Sequence, residues 1–328
     1  MLVLGANLTM DRTLQLGVLV PGNVHRPRTA IATAGGKSVN VCRAAEAHGA
    51  RARLVANLPG RAGALVGDLL DAERHDVRRI VTSGEIRTAT IIIEDDLRIT
   101  VLNEPGPQLS EQDRAALLDT FEAEAAGPAG PGRHTIAVAS GSLPPGPHAA
   151  GLYAEVVRRA HAHGLRIILD AARDDLAAAL PAGPDVVTPN LSEALSLLTG
   201  LHVGESVEPD VPDLHRTALD AATRLVEAGA RTALVTVGRH GVAAAGEAGT
   251  FWVDAPAVPE VSSIGAGDAF VGGLAVGLDR GLDLRRATAF AVATGAASVA
   301  TDLAGRPDTD LLARLLASGG LVAREVTR

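Results

Sequence analysis

Short apolar runs recur along the chain, and each is followed by a stretch with the spacing of a helix. The predicted strands cover residues 2–8, 53–57, 136–140, 166–170, 186–189 and 233–237. Such alternation is typical of βαβ units, in which helices cover a mostly parallel sheet. The pattern therefore predicts an α/β fold.

The predicted helices cover residues 38–48, 112–124, 147–163, 191–198, 213–227, 267–279 and 284–301. Gly49 and Gly164 follow two of them, as expected where a left-handed residue ends a helix. Glycine- and proline-rich composition predicts surface loops at 125–132 and 204–212.

Two regions, residues 12–34 and 86–103, break this alternation and have the composition of strands alone. We expect them to form a small sheet of their own. The alternative is an extension of the main sheet at its edge, since β insertions often have no separate role.

Composition limits the function classes. The 328 residues fit a single large α/β domain spanning 1–328. A net charge of −8 predicts no attraction to nucleic acid or to an anionic membrane, and 2% aromatic residues exclude a base-stacking platform. The single Cys42 excludes an internal disulfide. With no export signal and no apolar run of about 18 residues, we expect a soluble cytoplasmic protein.

The most informative segment runs from residue 262 to 273, where Gly265-Ala266-Gly267 precedes Asp268 and an apolar helix. A glycine turn at a helix start can direct several backbone N–H groups toward a phosphate, and the helix dipole adds positive potential there. Asp268 can then accept a hydroxyl proton. This arrangement indicates phosphoryl transfer.

A second segment, residues 34–40, contains Lys37, the only lysine of the chain. Arginine supplies every other basic side chain apart from histidine. A compact ammonium can approach one anionic oxygen where a broad guanidinium would not fit, so we expect the lysine to be required at this position.

These segments belong to six ordered motifs, at residues 7–14, 35–37, 103–107, 140–146, 189–193 and 265–268. Together they resemble the ribokinase-like PfkB sugar kinases, most of all the branch of phosphofructokinases and tagatose-6-phosphate kinases. The resemblance runs along almost the whole chain. It implies a three-layer α/β/α fold, ATP as the phosphoryl donor, Mg²⁺ as cofactor, a phosphosugar as acceptor, and a lid over the sugar made by the small sheet.

By this resemblance, Asp268 is the general base, and the amides of Gly265, Ala266 and Gly267 form an anion hole for the transferred group. The structural alternative for Asp268 is a helix N-cap. Asp11 corresponds to the family's sugar-hydroxyl acceptor. The strip against which the sugar lies corresponds to Gly35, Gly36 and Asn40.

The acceptor's own phosphate requires positive charge, for which Lys37, Arg26 and Arg87 are the candidates. Each of them has solvated surface charge as its alternative. Arg87 matches an arginine found in related phosphosugar kinases. Ser140 corresponds to a segment near the phosphosugar.

The resemblance also places the nucleotide end of the site. Asn190 and Glu193 match an Asn-x-x-Glu motif that holds Mg²⁺ largely through water. Thr236, Gly238 and Gly241 resemble the turn that shapes the nucleotide pocket.

Two positions depart from the family pattern: Ser38 replaces the usual glycine after the lysine, and Thr188 replaces a lysine. The first adds a side chain beside the sugar strip, and the second removes a positive charge near the nucleotide phosphates. We expect both to bear on the choice of substrate more than on the chemistry.

The implied reaction is ATP- and Mg²⁺-dependent conversion of fructose 1-phosphate to fructose 1,6-bisphosphate. Fructose 6-phosphate, tagatose 6-phosphate and an unusual sugar of a specialised pathway are the alternatives. A catalytically silent sugar-binding protein is the alternative from another class. A nicotinamide oxidoreductase is disfavoured because no Gly-x-Gly-x-x-Gly follows the first strand. Exposed lid strands make a homodimer through the lid a further expectation.

Overall fold

A computed structural model describes residues 1–96, 98–127, 134–171, 173–201 and 211–326. The strands, numbered in chain order, are β1 (Leu2–Gly5), β2 (Thr9–Gln15), β3 (Thr29–Gly35), β4 (Arg53–Asn57), β5 (Asp76–Ile80), β6 (Arg87–Ile93), β7 (Ile99–Asn103), β8 (Ile136–Ser140), β9 (Arg166–Asp170), β10 (Val186–Val187), β11 (Thr232–Thr236), β12 (Gly241–Gly246), β13 (Phe251–Asp254) and β14 (Arg324–Glu325).

The helices are α1 (Lys37–Ala47), α2 (Gly60–Ala72), α3 (Glu111–Ala125), α4 (Leu152–Ala162), α5 (Arg173–Ala179), α6 (Leu191–Thr199), α7 (Leu214–Glu227), α8 (Ala266–Asp279), α9 (Leu284–Ser298) and α10 (Thr309–Ala317). No helix in the described ranges is long and apolar enough to cross a membrane.

The main sheet has the strand order β14-β13-β12-β11-β10-β9-β8-β1-β4-β5. Its strands run parallel from β11 to β5, and β12, β13 and β14 extend it by antiparallel pairing. The predicted mostly parallel sheet is therefore confirmed, although the antiparallel extension was not predicted from the sequence.

Helices cover both faces of this sheet, because successive side chains of a strand point to opposite sides. In β1, Leu2 and Leu4 pack into a core beneath α3, α4 and α7, whereas Val3 packs into a second core beneath α1, α8 and α9. These two cores separate three layers, which confirms the predicted α/β/α architecture.

The regions at 12–34 and 86–103 form a separate four-stranded sheet in the order β3-β2-β6-β7. The chain leaves the main sheet after Gly5 and enters the small one at Thr9, so the single strand predicted for 2–8 is wrong. The predicted small sheet is confirmed. The described strands do not form the alternative, an extension of the main sheet at its edge. Residue 97 lies outside the described ranges, as does most of both predicted surface loops.

Most predicted helices agree with the observed ones within a few residues, but α4 begins at Leu152 rather than at residue 147. Gly151 has a φ of 67°, a left-handed conformation that prevents the helix from extending further toward its N-terminus. Helices α2, α5 and α10 were not predicted. The glycines after α1 and α4 are left-handed as predicted, with φ of 73° at Gly49 and 70° at Gly164.

Candidate active site

A cavity of about 740 Å³ lies between the carboxyl ends of the central strands and the small sheet. Ala89 and Ile91 of β6 and Val101 of β7 form part of its wall. The predicted site residues that line it are Asp11, Gly36, Lys37, Asn40, Arg87, Ser140, Asn190, Glu193 and Asp268. Parallel α/β sheets bind ligands at this edge, so topology alone brings these distant motifs together.

Asp268 lies in the first turn of α8, and 6% of its surface is exposed. The N-cap position is taken by Gly265, whose φ is 79°, and no side chain caps the helix. The N-cap role considered for Asp268 is therefore wrong. Gly265 also packs closely, because a Cβ there would lie 2.6 Å from the Gly305 nitrogen. The chain thus turns at Gly265, and Ala266 and Gly267 are the first helical residues, directly before the carboxylate.

The Asp268 carboxylate accepts a hydrogen bond of 2.7 Å from the Asn40 side-chain amide. Burial raises the pKa of Asp268 to about 7, and Asp170 and Glu193 act in the same direction. Lys37 and the Asn40 hydrogen bond oppose this rise. A carboxyl with such a pKa can take up and release a proton near neutral pH.

Lys37 is the first residue of α1, where a cation opposes the helix dipole. Its ammonium lies 3.4 Å from an Asp170 oxygen and 3.7 Å from a Glu193 oxygen. Burial acts to lower its pKa, but the carboxylates of Asp170, Glu193 and Asp268 raise it above the ordinary value. The only lysine is therefore a cation held among three acids, at the end of the cavity that contains Asp268.

Asp170 is a central residue of this cluster that the sequence did not reveal. It ends β9, is 4% exposed, and accepts a hydrogen bond of 2.9 Å from Ser140, its neighbour on β8. Its position at the carboxyl end of a central parallel strand was the available signal. Arg173 was also missed: it lines the cavity with a φ of 50°, which residues with a Cβ seldom adopt.

The sugar strip has a steric basis. Gly35 pairs with Thr9 across β2 and β3, and a Cβ on Gly35 would overlap the Asp11 carboxyl group. Asp11 can lie flat against the strand only because this residue is glycine. Burial raises the pKa of Asp11 to about 6, against the effect of Arg43 and Arg87. Its buried Oδ1 has no hydrogen-bond partner among the described residues, so it is available to a ligand.

The two arginine candidates differ in position. Arg87 lines the cavity, and it donates hydrogen bonds to the carbonyls of Asn7 and Glu104, at 3.1 and 3.3 Å. These bonds hold the guanidinium in the wall of the cavity. Arg26 is exposed and is not among the lining residues.

Asn190 and Glu193 open α6 as a reciprocal pair. The Asn190 side-chain oxygen accepts from the Glu193 backbone N–H at 2.8 Å, and the Glu193 carboxylate accepts from the Asn190 backbone N–H at 2.9 Å. No group of three or more metal-ligating acids, histidines or cysteines occurs within the described ranges. Magnesium often binds through one or two carboxylates and several waters, so this donor set fits such an ion.

The predicted nucleotide turn lies beside this motif rather than in the cavity wall. Thr236 forms a β-bridge with Asn190, and Gly238 and Gly241 have φ of 49° and 127° around the turn that follows. A Cβ on Gly241 would overlap the Val253 carbonyl. Both glycines are therefore required by the backbone path.

The two departures are both buried. Ser38 is 1% exposed, and its hydroxyl lies 2.9 Å from the Leu4 carbonyl and 2.7 Å from that of Ser140. It links α1 to β1 and β8. The Thr188 hydroxyl has no hydrogen-bond partner in the part of the chain that the structure describes.

Comparison with known proteins agrees with this geometry. The model of the pfkB family carbohydrate kinases matches residues 3–310. The chain belongs to the PfkB carbohydrate kinase family. Its ribokinase-like fold, expected from the resemblance, is confirmed by solved structures of that fold.

Among curated PfkB relatives, the 1-phosphofructokinase of Xanthomonas campestris is 32% identical over 305 residues, which are 87% of this chain and 88% of the relative. The tagatose-6-phosphate kinase of Staphylococcus epidermidis is 28% identical over 84% of each chain. Phosphofructokinase-2 of Escherichia coli, solved in complex with fructose-6-phosphate, superposes with a TM-score of 0.81 at 25% identity, over 97% of this chain and 98% of that one.

Proposed function

We propose that this PfkB kinase transfers the γ-phosphoryl group of ATP to a hydroxyl of a phosphorylated ketohexose, with fructose 1-phosphate as the first candidate. The observation that carries the proposal is the buried Asp268 directly after the glycine turn, with Lys37 among the acids beside it. The base and a compact cation line the same end of the cavity, and the start of α8, whose amides would form the anion hole, directly precedes the base.

In this reaction Asp268 takes the proton of the attacking hydroxyl. The amides of Gly265 and Gly267 stabilise the charge on the transferred group, and the Ala266 amide joins them once it leaves the Ser263 carbonyl, to which it donates at 3.3 Å. Lys37 stabilises the same group from the other side. Its neighbours are the acids of the cluster, which favours contact with the transferred phosphoryl over contact with the acceptor's own phosphate.

The acceptor lies along the strip formed by Gly35 and Gly36, with its hydroxyls on Asp11 and Asn40. Arg87, in the wall of the cavity, binds the acceptor's phosphate, and Ser140 contributes to the same pocket.

At the nucleotide end, Asn190 and Glu193 would hold Mg²⁺ through water, and Thr236, Gly238 and Gly241 would border the nucleotide. The ion would supply charge neutralisation of the ATP phosphates. Residues 1–328 form one catalytic domain, and β2, β3, β6 and β7 act as its lid.

An acceptor panel tests the substrate class. We expect ADP release with fructose 1-phosphate, weaker release with fructose 6-phosphate and tagatose 6-phosphate, and least with fructose, because only phosphorylated sugars engage Arg87. In the matched variant Arg87→Met, the KM for the phosphosugar should rise by about 10- to 100-fold, as expected for losing a charge-assisted pair of about 1.5–3 kcal/mol. The KM for fructose should hardly change.

ATP, but not NAD, should raise the melting temperature of the protein. Phosphosugar binding without any ADP release would identify a silent sugar-binding protein instead. Absence of turnover with every phosphosugar would refute the proposed acceptor class.

We also propose that two chains pair through the lid. Its outer strands and the loop between β2 and β3 expose apolar side chains, namely Val18, Val24, Ile31 and Leu102. Edge strands with exposed apolar residues favour pairing with another chain. A paired lid would also offer a position for Arg26 near the cavity of the second chain.

The variant Leu102→Asp should convert a dimer to monomers, since it places a charge in the apolar contact. Light scattering after size exclusion measures the mass. Val81→Asp is the control, because Val81 is 76% exposed outside the lid and its replacement should leave the mass unchanged. A monomeric native protein would contradict the pairing.

A further inference from the structure

Arg43 is a buried cation whose role no motif suggested. It lies on the same face of α1 as Asn40, one turn further on, and only 4% of it is exposed. An arginine so deeply buried normally has a specific set of acceptors. Its hydrogen bonds connect Glu73, on one side, with Asn40 and through it with Asp268, on the other.

The guanidinium donates to several acceptors at once. It donates to the Asn40 side-chain oxygen at 2.9 Å, to the Ala34 carbonyl at 2.7 Å, and to the Ala304 carbonyl at 3.4 Å. It also forms a bidentate pair with Glu73, at 2.8 and 2.7 Å. The rigid guanidinium fork can meet all these acceptors in one orientation, which an ammonium cannot do.

The bond to Asn40 decides how that amide is turned. Because the Asn40 oxygen accepts from Arg43, its NH₂ group must face the other way, where it donates to Asp268 at 2.7 Å. Without Arg43 the Asn40 oxygen would lose its donor, and only the bond to Asp268 would hold the amide. The arginine therefore holds the amide from behind, in the same orientation that the carboxylate requires.

Arg43 also touches the two segments that border Asp268 and the sugar strip. Ala34 precedes the glycines of the strip. Ala304 and Gly305 pack against Gly265, and a Cβ on Gly305 would overlap Asn40. The Arg43 side chain thus contacts three groups. They are the end of β3 just before Gly35, the Asn40 amide that donates to Asp268, and the loop at Ala304 that packs against Gly265.

Glu73 fixes the other end of the guanidinium. Burial acts to raise the pKa of Glu73, but the hydrogen bonds from Arg43 and the nearby imidazole of His75 lower it to about 2. The carboxylate is therefore ionised at any assay pH.

Helices α1 and α8 pack closely, because a Cβ on Gly272 of α8 would lie 2.7 Å from both the Ala44 Cβ and the Val41 carbonyl of α1. This close packing keeps Asn40 of α1 beside Asp268 of α8.

We propose that Arg43 is a positioning residue for phosphoryl transfer, which turns the Asn40 amide toward Asp268 and so holds the base facing the acceptor hydroxyl. This inference rests on the proposed function, since it takes Asp268 as the base. Arg43 itself is not among the residues that line the cavity.

The test uses Arg43→Lys and Arg43→Ala in the full chain, with steady-state kinetics across pH. We expect kcat to fall by about 10- to 100-fold, because a small displacement of a reacting group costs this much, while the KM for ATP stays near the wild-type value. The acid limb of kcat/KM should move to higher pH, because the Asn40 hydrogen bond lowers the pKa of Asp268. The charges of Lys37, Asp170 and Glu193 also face Asp268 and remain in place.

Guanidinium ion offers a rescue. Arg43 lines a second cavity of about 490 Å³, with Glu46, Glu73, His75 and Arg306 in its wall, so added guanidinium can reach the space left in Arg43→Ala. It should restore part of kcat, whereas sodium chloride at equal ionic strength should not.

Arg159→Met is the control for a purely structural role. Arg159 on α4 also forms three ion pairs, with Asp119, Glu122 and Glu155, but it does not line the cavity. The Arg159→Met variant should lower the melting temperature of the protein without moving the acid limb of the kcat/KM profile. If the Arg43 variants behave in the same way, Arg43 only stabilises the fold and the proposal fails. If Asp268→Asn retains full turnover, the proposed function fails instead.

Discussion

Replacing Asp268 by asparagine should reduce kcat by about 100- to 10,000-fold, the range for removing a general base. The change is isosteric, so the Asn40 amide keeps an oxygen to donate to, and the KM values should change much less than kcat. Coupled ADP-release kinetics with saturating ATP and phosphosugar measure the effect. The expected loss is large because Asp268 accepts the hydroxyl proton while the phosphoryl group is transferred.

Asp174 supplies a matched control for this variant. It is a carboxylate in the wall of the same cavity, but it is exposed, whereas Asp268 is buried. At a pH above the raised pKa of Asp268, Asp174→Asn changes the charge of the cavity by the same amount, and it should leave kcat within about threefold of wild type because it removes no proton acceptor. If the two variants lost activity equally, the loss would reflect the net charge of the cavity rather than a base.

Motifs whose residue types are required by the backbone conformation could be predicted well from the sequence. Gly265 before α8 and the strip glycines Gly35 and Gly36 are visible in sequence because their backbone positions tolerate no Cβ or need a positive φ. The capping pair of Asn190 and Glu193 is visible for a similar reason, since its spacing follows from the helix. The capping pair and the positive φ depend on neighbours along the chain, whereas the close packing at Gly35 and Gly265 involves the distant Asp11 and Gly305.

Features that depend on long-range contacts could not be predicted. Asp170 meets Lys37 only because β9 lies two strands from β1 in the sheet, and Arg43 meets Ala304 across 261 residues of sequence. For Ser38, the sequence suggested a group beside the sugar strip, whereas its hydroxyl contacts two main-chain carbonyls. Its effect on acceptor choice stays a prediction.

Replacing Lys37 by methionine should lower kcat by about 100- to 1,000-fold, comparable with losing one donor of an oxyanion hole. Methionine has a similar length but no charge, so the transferred phosphoryl loses a cation and the three acids lose their counter-ion. Lys37→Arg is the matched control. It keeps the charge but not the compact shape, and we expect it to recover only part of kcat.

The pH dependence separates this role from a general loss of structure. Asp268 acts as a base when ionised, and its pKa is raised to about 7, so kcat/KM of the wild type should fall as the pH drops through about 7. Lys37 lowers that pKa, so its removal should move the acid limb to higher pH. Using one phosphosugar for both enzymes cancels the titration of the sugar's own phosphate. An acid limb at the same pH in wild type and Lys37→Met would mean that the ammonium does not act on the base, and that Asp268 is ionised by other means.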